Sequence, residues 1–219
     1  MARWGLIVCL WMGGIGWGQT FIFSGNFNGW KGDFADYPVG AEQFYELAWG
    51  WENLPLKIDE LDKGLYLSGN NHSDDLFMFV KYPLEGLEPQ TTYIIHFASI
   101  LIESHAPEGR IGIGGAPGES VFFKVGASSQ EPQKVDTEGF YLLNVDKGNQ
   151  SEGGANALVL GNIASQSEEY QVKEFCADNA FAITTDAQGK LWIFLGTDSG
   201  FEGFTKFYIA RVKLEVFQQ

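Results

Sequence analysis

The segment "DLFMFVKY", Asp75–Tyr82, constrains the fold more than any other stretch of this chain. A strand shows alternate residues to opposite sides, so Leu76, Met78, Val80 and Tyr82 share one face and Phe77, Phe79 and Lys81 the other. Both faces are largely apolar. Such a strand needs cover on both sides, which predicts an interior position in a layered sheet structure.

The rest of the chain repeats the pattern. "TYIIHFASILIE", "SVFFKV", "GFYLLNV", "NALVLGNI", "AFAITT" and "KLWIFLG" read as further strands, separated by glycine-rich turns. In the last, "KFYIARVKLEVF", Tyr208, Ala210, Val212, Leu214 and Val216 are predicted on one face and Arg211, Lys213 and Glu215 on a wet one. No long segment carries apolar residues at a 3.6 period between a cap and a stop; "SQSEEYQVKEF" is the one short helix expected. Many short strands with Gly and Asn turns predict an all-β fold, a two-sheet sandwich.

The N-terminus reads as a secretory signal peptide. "MARWGLIVCLWMGGIGWGQT" has one basic residue, an apolar run and then small residues, with cleavage expected after Gly18. Residues 1–18 are therefore the signal and 19–219 a single sandwich domain, secreted or periplasmic, without a membrane span in the mature chain. Cleavage removes Cys9 and leaves Cys176 as the only thiol, so the core must hold the fold without an internal disulfide. It also removes Arg3 and no acid, taking the formal charge from -14 to about -15. Such a chain repels phosphate backbones, which excludes nucleic acid as a partner; neutral ligands and divalent cations remain compatible.

The run "GLYLSGNNHSDDLFMFVKYPLEGLEPQTTYIIHF", closed by "FYIARVKLEV", resembles the jelly-roll carbohydrate-binding modules of the galactose-binding-like superfamily. "NGWKGDFADYP", "SGNNHSDDLFMF", "GGAPGES", "DKGNQS" and "GTDSGFEG" are similar to a group of exported bacterial proteins of unassigned function. The first resemblance implies a two-sheet jelly roll that binds a glycan. Many such modules hold a structural calcium with help from an acid in the final strand. Ala210 and Arg211 stand there, so the resemblance does not carry that site over.

The candidate ligand residues cluster in three segments. "GNFNGWKGDFADYP" interleaves Trp30 and Tyr37 with Asp33 and Asp36, the mixture of aromatic faces and hydrogen-bonding groups that a pyranose requires. Trp49 and Trp51 project to one side of an extended strand and could extend that platform or plug a sandwich end. The polar run Asn70, Asn71, His72, Asp74 and Asp75 offers hydrogen bonds, or simply a turn before the interior strand. Glu202 completes the set.

For metals, the acidic glycine-rich loops 145–154 and 196–203 suggest calcium at Asp146 and Asp198; as hairpin connections they need none. Three unpaired histidines and one mature cysteine do not make a zinc site. "GIGGAPGES" has Glu119 where a phosphate loop needs a lysine, so no nucleotide is expected. The leading function is non-catalytic recognition of a neutral glycan. A carbohydrate-active enzyme with carboxylates from separate loops and a structural or adhesive surface protein are the alternatives.

Overall fold

The computed structural model describes residues 16–219; residues 1–15 of the expected signal 1–18 lie outside them, and its last three residues, Gly16 to Gly18, begin a strand paired with residues 215–217. None of the described residues is helical, and no helix is long and apolar enough to cross a membrane. The described residues form fifteen strands in three antiparallel sheets.

The seven-stranded sheet runs β12 (Gln171–Phe175), β7 (Thr92–Ser104), β15 (Phe204–Gln218), β5 (Leu61–Asn70), β4 (Ala48–Ile58). In the same sheet β1 (Gly16–Ile22) pairs with β15 and β13 (Phe181–Thr184) with β7. The five-stranded sheet runs β11 (Ala157–Asn162), β8 (Val121–Ser128), β14 (Leu191–Ser199), β6 (Leu76–Leu84), β2 (Lys31–Ala35). Successive strands cross between the sheets, β5 to β6, β6 to β7, β7 to β8 and β14 to β15, which is the winding of a jelly roll. A small third sheet of β3 (Tyr37–Pro38), β10 (Phe140–Leu143) and β9 (Lys134–Thr137) completes the fold.

The interior position predicted for β6 is the one observed. Leu76, Met78 and Val80 enter the main core between the two large sheets, beside Ile193 and Leu195 of β14. Phe77 and Phe79 face outward and are also buried, packed with Phe194, Ala157, Val145 and Leu143. Their cover is the excursion 129–156, which carries β9 and β10 over the outside of the five-stranded sheet. Every residue of β14 is buried for the same reason.

Two expectations are corrected. The short helix of "SQSEEYQVKEF" is instead strand β12, because an edge of β7 offers it a ladder from Ile100 to Ser104. The alternation of β15 holds from Val212 to Val216 and breaks at Ala210. Ile209 pairs with Ile102 and Arg211 with Leu101, so Ala210 is an extra residue, a β-bulge. Phe207 and Ile209 therefore point inward, and Tyr208 and Ala210 join a separate cluster on the outer face.

Candidate functional site

Two places on this scaffold gather polar side chains. The first is a buried charge cluster beneath the excursion. Asp198 of β14 and Lys124 of β8 are fully buried and lie 2.7 Å apart. Lys147, from the connection between β10 and β11, brings its ammonium within 2.8 Å of Asp198 Oδ2, 3.0 Å of Asp36 Oδ2 and 3.9 Å of Asp75 Oδ1. Lys124 also donates to the carbonyls of Lys147 and Glu152, both at 2.9 Å, and the Gln150 amide donates to Asp198 Oδ2. Burial works against the charge on Lys147, but Asp198, Asp36 and Asp75 together hold its ammonium above the usual lysine range. Burial pushes Asp75 up to about 8 against the pull of Lys147, with Asp36 and Asp198 adding to the rise. The cluster ties the excursion to the sheet, since it joins the connections after β2, before β6 and after β10 to β8 and β14.

The second is a groove of about 740 Å³ on the outer face of the seven-stranded sheet. Its floor is Leu101 and Arg211, with Val172 and Glu174 of β12 on one side and Leu56 to Asp59 on the other. The second wall exists because the β4–β5 pairing slips between Asn53 and Ile58, which throws Leu54 to Lys57 over the sheet face. Glu103, fully buried beneath this strap, accepts the Leu56 amide at 2.9 Å through Oε2. Its Oε1 has no hydrogen-bond partner, and burial pushes the carboxyl up to about 6, only partly offset by the Leu56 amide.

Glu174 Oε1 accepts from Ser99 Oγ at 2.5 Å and from Arg211 at 3.4 Å, so acid and base stand side by side at the groove wall, both partly exposed. Beyond the strap the same face carries Tyr66, Tyr208 and Tyr170 in a row, with ring centroids 6.4 and 6.0 Å apart. Tyr208 donates to Glu52 at 2.8 Å, and Lys206 reaches the same oxygen at 2.6 Å. Apolar side chains beside a paired acid and base are what a polyhydroxylated ligand can use.

The sequence-derived residues are not gathered at this groove. Trp30 is a correction: it is fully buried, edge-on to Phe21 at 5.2 Å and beside Tyr82 at 5.3 Å, and offers no face to a ligand. Tyr37 is likewise buried, against Tyr45 and Tyr141, with its hydroxyl between Glu42 and Lys134. The apolar interior takes both rings because their segment closes over it. Trp49 and Trp51 do share a side, opposite inward-facing Leu67 and Leu65, and that side is the sandwich edge. Trp51 donates to the Phe23 carbonyl and lies under Lys63, 4.0 Å from its ring centre; Trp49 abuts Gly32, where a Cβ would meet its ring.

The polar run divides. Asn71 is buried and makes a turn, donating to the carbonyls of Ser199 and Phe201 and accepting from the Ser73 amide. Asn70 donates to Glu46, and His72 stacks on Phe44 at 4.1 Å. Asp74 adopts φ 59° and its carbonyl accepts from Gln150. Its carboxylate lies where a Cβ on Gly114 would come within 2.6 Å, and Gly114 is itself left-handed at φ +69°, so only glycine fits there.

Glu202 bonds backbone to backbone with Ile113 at the same end, whereas Trp30 lies before β2, whose five residues separate it from Asp36 and the charge cluster. Asp33 pairs with Lys81 at 3.3 Å, and Asp36 and Asp75 belong to the charge cluster. Asp146, exposed in its loop, accepts the amides of Gly148 and Ala155, whereas Asp198 is fully buried in β14 and shared by two ammoniums and does not stand open in an acidic loop as the sequence suggested.

No family model matches the chain. No curated protein matches it. Among solved structures it is similar to the TmCBM61 module in complex with β-1,4-galactotriose, at 10% identity and TM-score 0.38 over 88% of this chain and 90% of that one. It is similar to the CBM22-1–GH10 modules of xylanase 10B from Clostridium thermocellum in complex with xylohexaose, at 13% identity and TM-score 0.41 over 90% and 28%. A third similarity is to TmCBM27, described for specific mannan recognition, at 12% identity and TM-score 0.38 over 90% and 95%.

Sequence reasoning missed Glu103, Tyr66, Tyr170, Glu174 and the two lysines of the charge cluster, Lys124 and Lys147. A signal existed for one: Lys124 interrupts "VFFKVGA", and a lysine inside an apolar strand requires a buried partner.

Proposed function

We propose that this chain is an exported, non-catalytic protein that binds a neutral glycan in the groove of the seven-stranded sheet. One observation carries the reading: the groove sets the Glu174–Arg211 pair beside the apolar side chains of Leu101 and Val172. A carboxylate and a guanidinium side by side donate to and accept from adjacent hydroxyls while carrying little net charge. The C–H face of a sugar ring has the apolar side chains of the groove to lie against. The acidic surface is compatible with an uncharged ligand, and the N-terminal segment Met1–Gly18 supports export.

Isothermal titration against galacto-, xylo- and manno-oligosaccharides and the corresponding polysaccharides tests the proposal. Saturable heat from one class, weakened about ten-fold in Glu174→Gln and Arg211→Gln with an unchanged melting temperature, is the expected result. No heat and no retention for any of them rejects glycan binding. Release of reducing sugar from the same panel would make the protein an enzyme instead, and concentration-dependent assembly in light scattering without a glycan response would make it a structural one.

A further inference from the structure

The buried charge cluster has the construction of a cation site. Three carboxylates, from Asp36, Asp75 and Asp198, place one oxygen each within 4.8 Å of one another. They come from three separate connections and strands, and Asp36 and Asp198 are almost wholly buried. Asp198 Oδ1 and Asp75 Oδ1 are buried with no hydrogen-bond partner. Hard divalent cations take such sites, calcium with six to eight oxygens at about 2.3–2.6 Å.

Lys147 stands where the ion would be. Its ammonium lies 2.8 to 3.9 Å from an oxygen of each acid and donates to the Gly148 carbonyl at 3.3 Å. Lys124 sits to one side, satisfied by Asp198 and the carbonyls of Lys147 and Glu152, and does not enter the triangle of acids. The side chain of Asp75 is 38% exposed, which leaves this corner open to solvent.

We infer that the Lys147 ammonium occupies a cation site formed by Asp36, Asp75, Asp198 and the Gly148 carbonyl, and that a calcium ion takes this place when the ammonium is removed. The chain thereby carries its own counter-ion for the clamp on the excursion 129–156. A tethered ammonium costs no ion capture and does not respond to chelators. It holds fewer oxygens than calcium would.

Lys147→Met keeps the length of the side chain and removes its charge. Thermal melting is measured for wild type and variant in chelator and in millimolar calcium, with calcium titration calorimetry on both. The wild-type midpoint is expected to be the same in both solutions. The variant is expected to melt lower in chelator, to recover in calcium, and to bind calcium saturably at one site. A wild-type midpoint that rises with calcium and falls with chelator overturns the inference, because the native occupant is then a metal. A folded Lys147→Met that binds no calcium also overturns it. If Lys147→Met folds only with calcium, the inference is supported. If it folds under neither condition the inference is overturned, because calcium then does not take the place of the ammonium.

Discussion

The Leu56 amide donates to Glu103 Oε2 at 2.9 Å, and this one bond fastens the wall of the groove to the floor of the sheet. The carboxyl pays for its burial with a raised pKa of about 6. A raised acid contributes stability that is fully present below its unfolded pKa of 4.5 and is lost as pH rises through about 6. Glu103→Gln is expected to stabilise the protein by about 1–2 kcal/mol at pH 8 and by nothing at pH 4. Urea unfolding at the two pH values checks this.

Asp75 predicts a second, more alkaline step. Its pKa, raised to about 8 by burial, means that its contribution is complete at acid pH and is lost as pH rises through 8. Asp75→Asn mimics the protonated acid and should flatten the decline in melting temperature between about pH 4 and 8, while Glu103→Gln leaves the part of the curve above about pH 6 unchanged.

Trp30 and Trp49 should separate sharply in unfolding experiments. Trp30 is enclosed by Phe21, Phe23 and Tyr82, and Trp30→Ala opens a cavity in the main core, at a cost of about 3–5 kcal/mol. Trp49 is 37% exposed at the sandwich edge, and its replacement by alanine should cost about 1 kcal/mol or less. Equal losses would place both rings in the core.

Lys124→Met leaves Asp198 buried with one ammonium in place of two. Removing one partner of a buried pair costs about 3–5 kcal/mol. The loss should appear first in the segment that the lysine holds through the carbonyls of Lys147 and Glu152. Hydrogen exchange at residues 145–154 would accelerate ahead of exchange in β7 and β15.

Much of the fold was legible because period and burial coincide. Phe77 and Phe79 alternate with Leu76, Met78 and Val80, and two apolar faces demand two covers wherever the chain supplies them. The bulge at Ala210 was not legible. It depends on how β15 must bend to pair with β5, β7 and β1, and nothing in "YIAR" records this. The site was less legible still. Trp30 and Tyr37 sit in a polar context that suits a ligand surface, but burial is decided by what folds over them, not by their sequence neighbours. Glu174 and Arg211 are 37 residues apart in the chain and meet only through the ladders of β12, β7 and β15.

The roof that residues 129–156 build over Phe77, Phe79 and Phe194 gives the molecule a back and a front. The back is spent on self-contact. A glycan held in the groove as proposed would lie on the unroofed side, and two copies holding one fibre in this way would turn their roofed sides away from it.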